Sequence, residues 1–383
     1  MPDYLIEAEV IASELTGLRH SFHMDPELGN HEFHTAGRIE AALNGWGIPT
    51  RRLLDTAVIG RLDGALPGPV VALRADMDAL PLTEASGADF ASRNPGVMHA
   101  CGHDVHMAAA LGAARLLANH RETLKGSVVF LFQPDEEGQG GARRMIEAGT
   151  LEGVDAVFGA HVSPDLPVGH VGVRYGKFYA ASDTFRIIVS GVSAHGAERE
   201  KGIDALGAAA ALVNRLIDLP KRLPNERAVL SVGSFHAGTV MNALADRAEL
   251  EGIIRTLGPV ARAELKRLFR IAVDEVMSAW GATAEVNLRE SYPGVVNDEA
   301  MTALAERAAR SLLGDDRVHV IDRPTMTTED FGYFLMEKPG SFYHIGAGCT
   351  LPLHNTGFLP DDQAPVTAAA VHAAVIEKYL MNA

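Results

Sequence analysis

The sequence has 383 residues, of which 47% are hydrophobic and 22% are charged, an ordinary globular composition that argues against long disordered segments. A chain of this length exceeds what one hydrophobic core usually organises, so we expect two domains. The formal net charge of −15 disfavours nucleic acids and anionic membranes as partners, because both bind basic surfaces.

The cysteines and the N-terminal segment bear on the cellular compartment. The two cysteines, Cys101 and Cys349, can form at most one disulfide, which favours a reducing compartment. The N-terminal segment MPDYLIEAEVIASEL has the pattern of an amphipathic helix and lacks the basic start and apolar centre of a signal peptide. No stretch approaches the roughly 18 apolar residues of a membrane span. We therefore expect a cytoplasmic protein.

The first half of the chain alternates helical and strand-like segments. Helices are predicted over residues 33–47, 103–119 and 140–149, and strands over residues 70–75, 127–132 and 156–160. Strands that alternate with helices predict a mixed, mostly parallel sheet with helices on both faces. Further helices are predicted over residues 300–313 and 365–381.

The pattern changes near Ser182, where TFRIIVSG alternates like a half-exposed strand. A helix at about 203–218, strands at 228–235 and 247–255, a helix at about 259–280 and a strand at 283–290 follow. This β-α-β-β-α-β order predicts an inserted α+β domain of the ferredoxin-like kind. The predicted fold class is α/β with this insertion: residues 1–181 and 293–383 form a catalytic domain, and residues 182–292 form the inserted domain.

Polar residues cluster where the apolar strands of the first half end. The segments and their polar residues are VVALRA with Asp76 and Asp78, SVVFLFQP with Asp135, Glu136 and Glu137, AVFGA with His161, the helix start MHACGHDVH with Cys101, His103 and His106, and the loop after SFYHIGAG with His354. In open α/β sheets, chemistry gathers beyond the carboxyl ends of the strands. We therefore expect these residues to form one site.

The residue types in these clusters indicate a metal site. Histidine, glutamate and thiolate bind zinc-type cations, and carboxylates suit two metals that share a bridging ligand and a water. In a loop, the adjacent Glu136 and Glu137 diverge, so one can bind a metal while the other acts as general base. Taken singly, His161 is typical of a core histidine, the glutamate pair of a solvated surface, and Cys101 of a small buried residue. Their co-occurrence at strand ends favours the metal site.

A series of motifs follows in order from one end of the chain to the other. They are PELG (26–29), LRADMDALPL (73–82), MHACGHDVHMAAALGAARLL (98–117), FLFQPDEEG (130–138), GGARRMIEAG (140–149), GAHV (159–162), SAHG (193–196), GTVMNALAD (238–246), EDFGYF (329–334) and LHNTGF (353–358). Together they resemble the di-zinc aminoacylase and carboxypeptidase family, in the amidohydrolase branch that contains hippurate hydrolases and auxin-conjugate hydrolases. So dense a series is specific for family and fold, and much less so for substrate.

The resemblance implies a metal-dependent hydrolase that cleaves the amide bond of small N-acyl amino acids. It implies two divalent metal ions, with zinc, manganese, cobalt and nickel all able to fill such a site. The implied metal ligands are Cys101 as the bridging ligand, His103, Glu137, His161 and His354. The other implied residues are Glu136 as catalytic base, Asp78 as the carboxylate that orients a ligand histidine, His195 as oxyanion stabiliser, and Asn242 and Arg255 as substrate-binding residues.

The resemblance also implies a mechanism and an assembly. Glu136 would take a proton from the attacking water and hand it to the departing amine. The inserted domain would serve as a lid and mediate a homodimer or homotetramer, with His195 reaching a neighbouring active site. Departures from the family pattern at Asp25, in AHGAEREKG, at Ala245 and in HNTGFLPDD remove none of the implied ligands. The last three lie on the substrate side, so they leave the acyl group and the amino acid open.

Alternative interpretations remain for the protein and for single residues. A metal-dependent dipeptidase or carboxypeptidase of the same family would differ only in substrate. A thiol hydrolase with Cys101 as nucleophile and His103 or His106 as base would leave the glutamate pair without a role. A non-enzymatic binding protein on a retired hydrolase fold would normally have an incomplete ligand set. Among the substrate-side residues, His195 can be an interface histidine, Asn242 a turn residue, Arg255 an ordinary strand arginine and Asp78 a cap.

Overall fold

The computed structural model describes residues 2–223 and 226–382 of the chain. Its strands are β1 (Thr50–Leu53), β2 (Ala57–Asp63), β3 (Leu66–Asp76), β4 (Lys125–Gln133), β5 (Ala156–Ser163), β6 (Val171–Val173), β7 (Gly176–Tyr179), β8 (Ala181–Ser190), β9 (Ala228–Ala237), β10 (Arg247–Thr256), β11 (Thr283–Glu290), β12 (Val295–Asn297), β13 (Val318–Val320) and β14 (Gly340–Gly346). Its α-helices are α1 (Tyr4–Val10), α2 (Ala12–Met24), α3 (Phe33–Gly45), α4 (His103–Asn119), α5 (Gly141–Glu147), α6 (Ala205–Ile217), α7 (Pro259–Trp280), α8 (Glu299–Leu313), α9 (Gly332–Glu337) and α10 (Gln363–Asn382). None of these helices combines the length and the apolarity that crossing a membrane requires.

The chain divides into two compact units. The first comprises Met1–Gly176, Val296–Arg323 and Asp330–Ala383. The second comprises Lys177–Val295 and Pro324–Glu329. Most of the second unit is therefore one continuous insertion in the chain of the first.

The first unit is built on an eight-stranded mixed sheet with the strand order β1-β2-β4-β3-β5-β14-β6-β13. Its centre is parallel, because β3 pairs in parallel with β4 and β5, and β14 pairs in parallel with β5. Strands β4 and β5 are buried along nearly their whole length, and accordingly they are continuous apolar runs without alternation. Phe130, Phe132 and Phe158 are among the largest fully buried side chains of this core.

Helices α4 and α10 are the most deeply buried helices of the first unit. Nearly every residue of α4 is buried, including its first residue His103, and α10 packs along it. Both helices are rich in alanine, which favours helix and allows close packing. A buried helix therefore begins at the edge of the sheet where the polar clusters lie.

The second unit has a four-stranded antiparallel sheet with the order β11-β8-β10-β9. Helices α6 and α7 pack with this sheet in a separate core that includes Phe185, Leu212, Leu250 and Phe269. Strand β11 alternates between exposed and half-buried residues, as expected for a sheet that is covered on one face.

The α/β fold class with a separate antiparallel α+β unit is confirmed, and α4, α7 and β11 have the predicted bounds. Strands β1 and β2 were not predicted; β1, with the sequence TRRL, is short and charged and lies at the sheet edge. The predicted N-terminal helix is divided at Ile11 into α1 and α2.

Candidate metal centre

The parallel strands place their polar residues along one edge of the large sheet. Asp76 at the end of β3 lies beside Gln133 at the end of β4. His161 lies within β5 rather than after it, since β5 continues to Ser163. The loop that follows β14 carries His354, and the N-terminal end of α4 supplies the remaining segment.

Two groups of potential metal ligands share one cysteine. Cys101, His103 and His161 each offer a ligand atom that lies within 4.8 Å of the other two. Cys101, Glu137 and His354 do the same. The fold therefore brings the five proposed ligands together, with Cys101 common to both groups.

His103 has the hydrogen bonding of a typical metal-ligand histidine. Its Nδ1 donates to the backbone carbonyl of Asp78 at 2.8 Å, and the Oδ1 atom of Asp78 lies 3.4 Å from the same nitrogen. Its Nε2 is buried and makes no hydrogen bond among the described residues. Ligand histidines commonly donate their second N–H to a carbonyl or carboxylate in this way. Asp78 thus contacts His103 mainly through its main chain.

His161 and His354 are also held with one ring nitrogen facing the site. The Nδ1 atom of His161 contacts the carbonyl oxygen of Val162 at 2.8 Å, and its Nε2 lies 3.3 Å from the Cys101 sulfur. The Nε2 atom of His354 lies 2.9 Å from Glu137 Oε1. His354 has a left-handed backbone with a φ of 62°, and its N–H donates to the carbonyl of Ala100. That bond ties the His354 loop to the segment that carries Cys101.

The electrostatics of the site favour a cation. Burial raises the pKa of the Cys101 thiol well above its ordinary value, and the charges of Glu137 and Glu136 raise it further. Burial alone would lower the pKa of His103, but the charge of Asp76 and the contact with Asp78 outweigh burial and raise it to about 10. Neighbouring carboxylate charge contributes to both shifts, so the site is electrostatically suited to a cation, and a divalent cation would displace a proton from a ligand such as the Cys101 sulfur.

Glu136 and Glu137 reach different neighbours although they are adjacent in sequence. Glu136 is buried, forms a ligand group with His103 and Glu137, and its Oε1 accepts a long hydrogen bond of 3.4 Å from the backbone N–H of Asp330. The backbone N–H of Glu137 donates to Asp78 Oδ2 at 2.9 Å, and its carboxylate contacts His354. The two adjacent glutamates therefore contact different parts of the site.

A buried ionic network lies behind the site, and the motifs had given no role to its members. Arg74 donates to Gln133 at 2.9 Å, to Asp76 at 2.7 Å and to Asp330 at 2.9 Å. Asp330 also accepts from Gln133 and from the backbone N–H of Ala142 at 3.0 Å. Asp330 lies in the EDFGYF motif, so the sequence pointed to this residue, but nothing in the sequence indicated that Arg74 is its partner.

His106 is a supporting residue rather than a free ligand. Its Nδ1 lies 2.6 Å from Asp76 Oδ1, and its Nε2 accepts the backbone N–H of Val162 at 2.9 Å. Both ring nitrogens are therefore engaged by the protein, although His106 lies in a potential ligand group with Asp76 and His103. Through these bonds it joins the end of β3 to β5.

The second unit carries the other predicted residues. His195 and Asn242 are exposed, and a backbone bridge pairs His195 with Ala243, so the two lie on adjacent segments. The Nδ1 atom of His195 accepts the N–H of Ala197 at 3.2 Å, which leaves Nε2 to carry the proton. Arg255 lies on β10, where burial lowers its pKa and its buried Nη1 makes no hydrogen bond among the described residues. His195 can therefore donate a hydrogen bond, and Arg255 retains donor capacity.

The donor set fits divalent cations of the zinc type. One thiol, three imidazoles and neighbouring carboxylates are the ligands that such cations prefer. The buried Nε2 of His103 is the clearest sign, because it makes no hydrogen bond among the described residues, its nearest recorded carboxylate contact is Asp76 Oδ2 at 3.6 Å, and a metal would complete it. Cys101, common to both ligand groups, suits a bridge between two cations.

Comparisons with known proteins agree with this geometry. Residues 72–378 match the model of peptidase family M20/M25/M40. The chain is 38% identical to the N-acetyl-L-cysteine deacetylase of Bacillus subtilis, over 95% of this chain and 88% of that protein. It is 37% identical to thermostable carboxypeptidase 2 of Saccharolobus solfataricus, over 94% of each chain. A crystal structure of a dinuclear metal-binding peptidase from Bacillus subtilis superposes with a TM-score of 0.88 and 35% identity, and covers 98% of this chain and 100% of that one.

Proposed function

Since the chain belongs to peptidase family M20/M25/M40, we propose that it is a two-metal hydrolase that cleaves the amide bond of N-acyl amino acids. Family membership confirms the resemblance noted from the motifs and makes the protein an amide-hydrolysing enzyme. The proposal adds the substrate class, the residue roles and the assembly.

The sharing of Cys101 between two ligand groups carries the proposal. Cys101, His103 and His161 would hold one cation, and Cys101, Glu137 and His354 would hold the other, since the ligand atoms within each group lie within 4.8 Å of one another. The related dinuclear metal-binding structure supports two cations. When bound, two divalent cations supply Lewis acidity to a water and to the substrate carbonyl.

Glu136 moves the proton in the proposed reaction. Its carboxylate is buried beside His103 and Glu137, and its Oε1 accepts the N–H of Asp330 at 3.4 Å. It accepts a proton from the attacking water and donates that proton to the leaving amine, which yields a carboxylic acid and an amino acid. General acid–base catalysis of this kind typically contributes about 10²–10⁴-fold to the rate.

The remaining roles complete the proposal. Asp78 holds His103 in the orientation that presents Nε2. His195, whose Nε2 carries the proton, donates to the developing oxyanion, and Asn242 and Arg255 bind the carboxylate or carbonyl of the substrate. We also propose a cytoplasmic homodimer or homotetramer assembled through the inserted residues 182–292.

A reconstitution experiment tests the proposed activity. Protein stripped with a chelator is reloaded separately with Zn²⁺, Mn²⁺, Co²⁺ or Ni²⁺ and assayed on N-acetyl, N-benzoyl and indole-acyl amino acids beside dipeptides. Metal-dependent release of the amino acid from one N-acyl class supports the proposal. No hydrolysis of any N-acyl amino acid by any reloaded form contradicts it.

A carboxypeptidase or dipeptidase activity is the second candidate. It is favoured by the 37% identity to thermostable carboxypeptidase 2, which is similar in degree to the identity with the deacetylase. Preferential cleavage of dipeptides in the same panel identifies this alternative. Chelation separates both from a thiol hydrolase, because a chelator would inactivate a metal-dependent enzyme but not a hydrolase that uses Cys101 as nucleophile.

A further inference from the structure

Asp135, which precedes the two glutamates of the site, has an unusual backbone conformation. Its φ is 58°, in the left-handed region that residues with a Cβ rarely adopt. Aspartate and asparagine tolerate this region better than other such residues. Asp135 is buried, so the turn lies inside the protein. Such a conformation persists where the surrounding structure enforces it, and often at a functional site.

A buried carboxylate holds the backbone of this turn. Glu32 Oε1 accepts the N–H of Asp135 at 3.0 Å. Glu32 is fully buried, and its Oε2 accepts the hydroxyl of Thr56 at 2.9 Å. Both oxygens of Glu32 are thus fixed, and the N–H of Asp135 can point in one direction only.

The side chain of Asp135 packs closely against two glycines, which have no Cβ to exclude it. A Cβ at Gly29 would lie 2.3 Å from Asp135 Oδ1, and a Cβ at Gly138 would lie 2.2 Å from the same oxygen. The other oxygen, Oδ2, accepts the N–H of Gln139 at 3.3 Å. Asp135 therefore links PELG at 26–29 to the glutamate turn.

We propose that Asp135 and Glu32 are positioning residues, which fix the left-handed turn and thereby aim Glu136 at the reacting water and Glu137 at the metal. The proposal rests on the roles given above to Glu136 and Glu137. The segment 27–32 supports Glu137 by a second route. The backbone carbonyl of Glu27 accepts the N–H of Ala79, and the neighbouring Asp78 accepts the backbone N–H of Glu137.

The decisive comparison is between Asp135→Gly and Asp135→Ala. Both remove the carboxylate, but only glycine adopts the left-handed backbone without strain. We expect kcat on the best N-acyl substrate to be about 10-fold to 10²-fold lower in Asp135→Ala than in Asp135→Gly, because small displacements of catalytic groups cost this much. Asp135→Asn, which tolerates the left-handed turn and keeps a side-chain acceptor but loses the ion pair of Oδ2 with Arg144 at 3.5 Å, should stay within about 3-fold of the parent.

Metal affinity gives a second readout that does not depend on turnover. Competition of Zn²⁺ with a chromophoric chelator should show about 10-fold to 10²-fold weaker binding in Asp135→Ala than in Asp135→Gly, because Glu137 is displaced. The absorption spectrum of the Co²⁺ form should change in the same variant. Glu32→Ala, which removes the acceptor of the Asp135 N–H, should reproduce the loss, and Glu32→Gln, which keeps an acceptor, should not.

Glu136→Gln separates failure of this proposal from failure of the proposed function. If no metal-loaded form of the parent hydrolyses an N-acyl amino acid, the proposed function is wrong, and if Glu136→Gln keeps full turnover, the proton-transfer role of Glu136 is wrong. If Glu136→Gln is inactive while Asp135→Ala and Asp135→Gly have equal kcat and equal Zn²⁺ affinity, only the positioning proposal is overturned. A loss in Asp135→Ala that is confined to thermal stability overturns it as well.

Discussion

Removal of the Asp330 carboxylate should destabilise the first unit strongly. Asp330 is fully buried and accepts hydrogen bonds from Arg74, from the side chain of Gln133 and from the backbone N–H of Ala142. Asp330→Ala leaves the Gln133 and Ala142 donors without these acceptors and deprives Arg74 of one carboxylate. None of the three donors can reach water without local unfolding.

The size of the effect follows from these contacts. A buried donor that loses its acceptor costs about 1–3 kcal/mol, and breaking a buried ion pair by removing one partner costs about 3–5 kcal/mol. Because these contributions overlap at one side chain, we expect about 4 kcal/mol. For a domain of this size, that corresponds to a decrease in Tm of roughly 10 °C.

Urea unfolding in excess chelator measures the effect without the contribution of bound metal. The matched control is Glu147→Ala on α5, which breaks the exposed Arg143–Glu147 pair at 2.9 Å. That pair should contribute little to stability, because solvent screens exposed charges. If Asp330→Ala destabilises the protein no more than Glu147→Ala does, the network is not a structural support of the site.

The other predictions concern catalysis, the oxyanion and pH. Glu136→Gln should keep the bound metal and lower kcat by about 10²–10⁴-fold, and metal analysis beside turnover checks both parts. His195→Ala should lower kcat by about 10²–10³-fold with metal content unchanged, whereas normal kcat would exclude the oxyanion role. Burial, reinforced by the charge of Asp78, raises the pKa of Glu32 to about 7, so its protonated form is favoured in the folded state. This stabilising contribution is complete below the unfolded pKa near 4.5 and is lost as pH rises through 7. In excess chelator, the free energy of unfolding of Glu32→Gln relative to the parent should therefore increase by up to about 3 kcal/mol as the pH rises from 5 to 8.5. If urea unfolding gives the same difference between the two proteins at every pH, this pKa of Glu32 is excluded.

The strand-end residues could be predicted because sequence and geometry coincide there. Parallel strands bury continuous apolar runs and end at one edge, so the location of Asp76 and Glu136 at that edge follows from the sequence pattern alone. The start of α4 was predictable for a similar reason, since HDVHMAAALGAARLLAN is a run of good helix formers. These regularities are local, and local patterns are what a single sequence contains.

The contacts that support the site could not be predicted, because they join distant residues. Arg74 and Asp330 are 256 positions apart, and neither carries a periodic signal for the other. The left-handed turn at Asp135 has no glycine to mark it, and its buried partner Glu32 lies 103 positions away. The engagement of both ring nitrogens of His106 depends on the approach of β5, which only the fold determines.

Metal stoichiometry tests the central claim most directly. Inductively coupled plasma analysis of the parent, purified and dialysed with Zn²⁺, should give two ions per chain. Cys101→Ala should lose both tightly bound ions, because Cys101 belongs to both ligand groups, whereas His161→Ala should lose only one. Parent protein that binds no zinc, or Cys101→Ala that retains two ions per chain, would contradict a two-metal centre bridged by this cysteine.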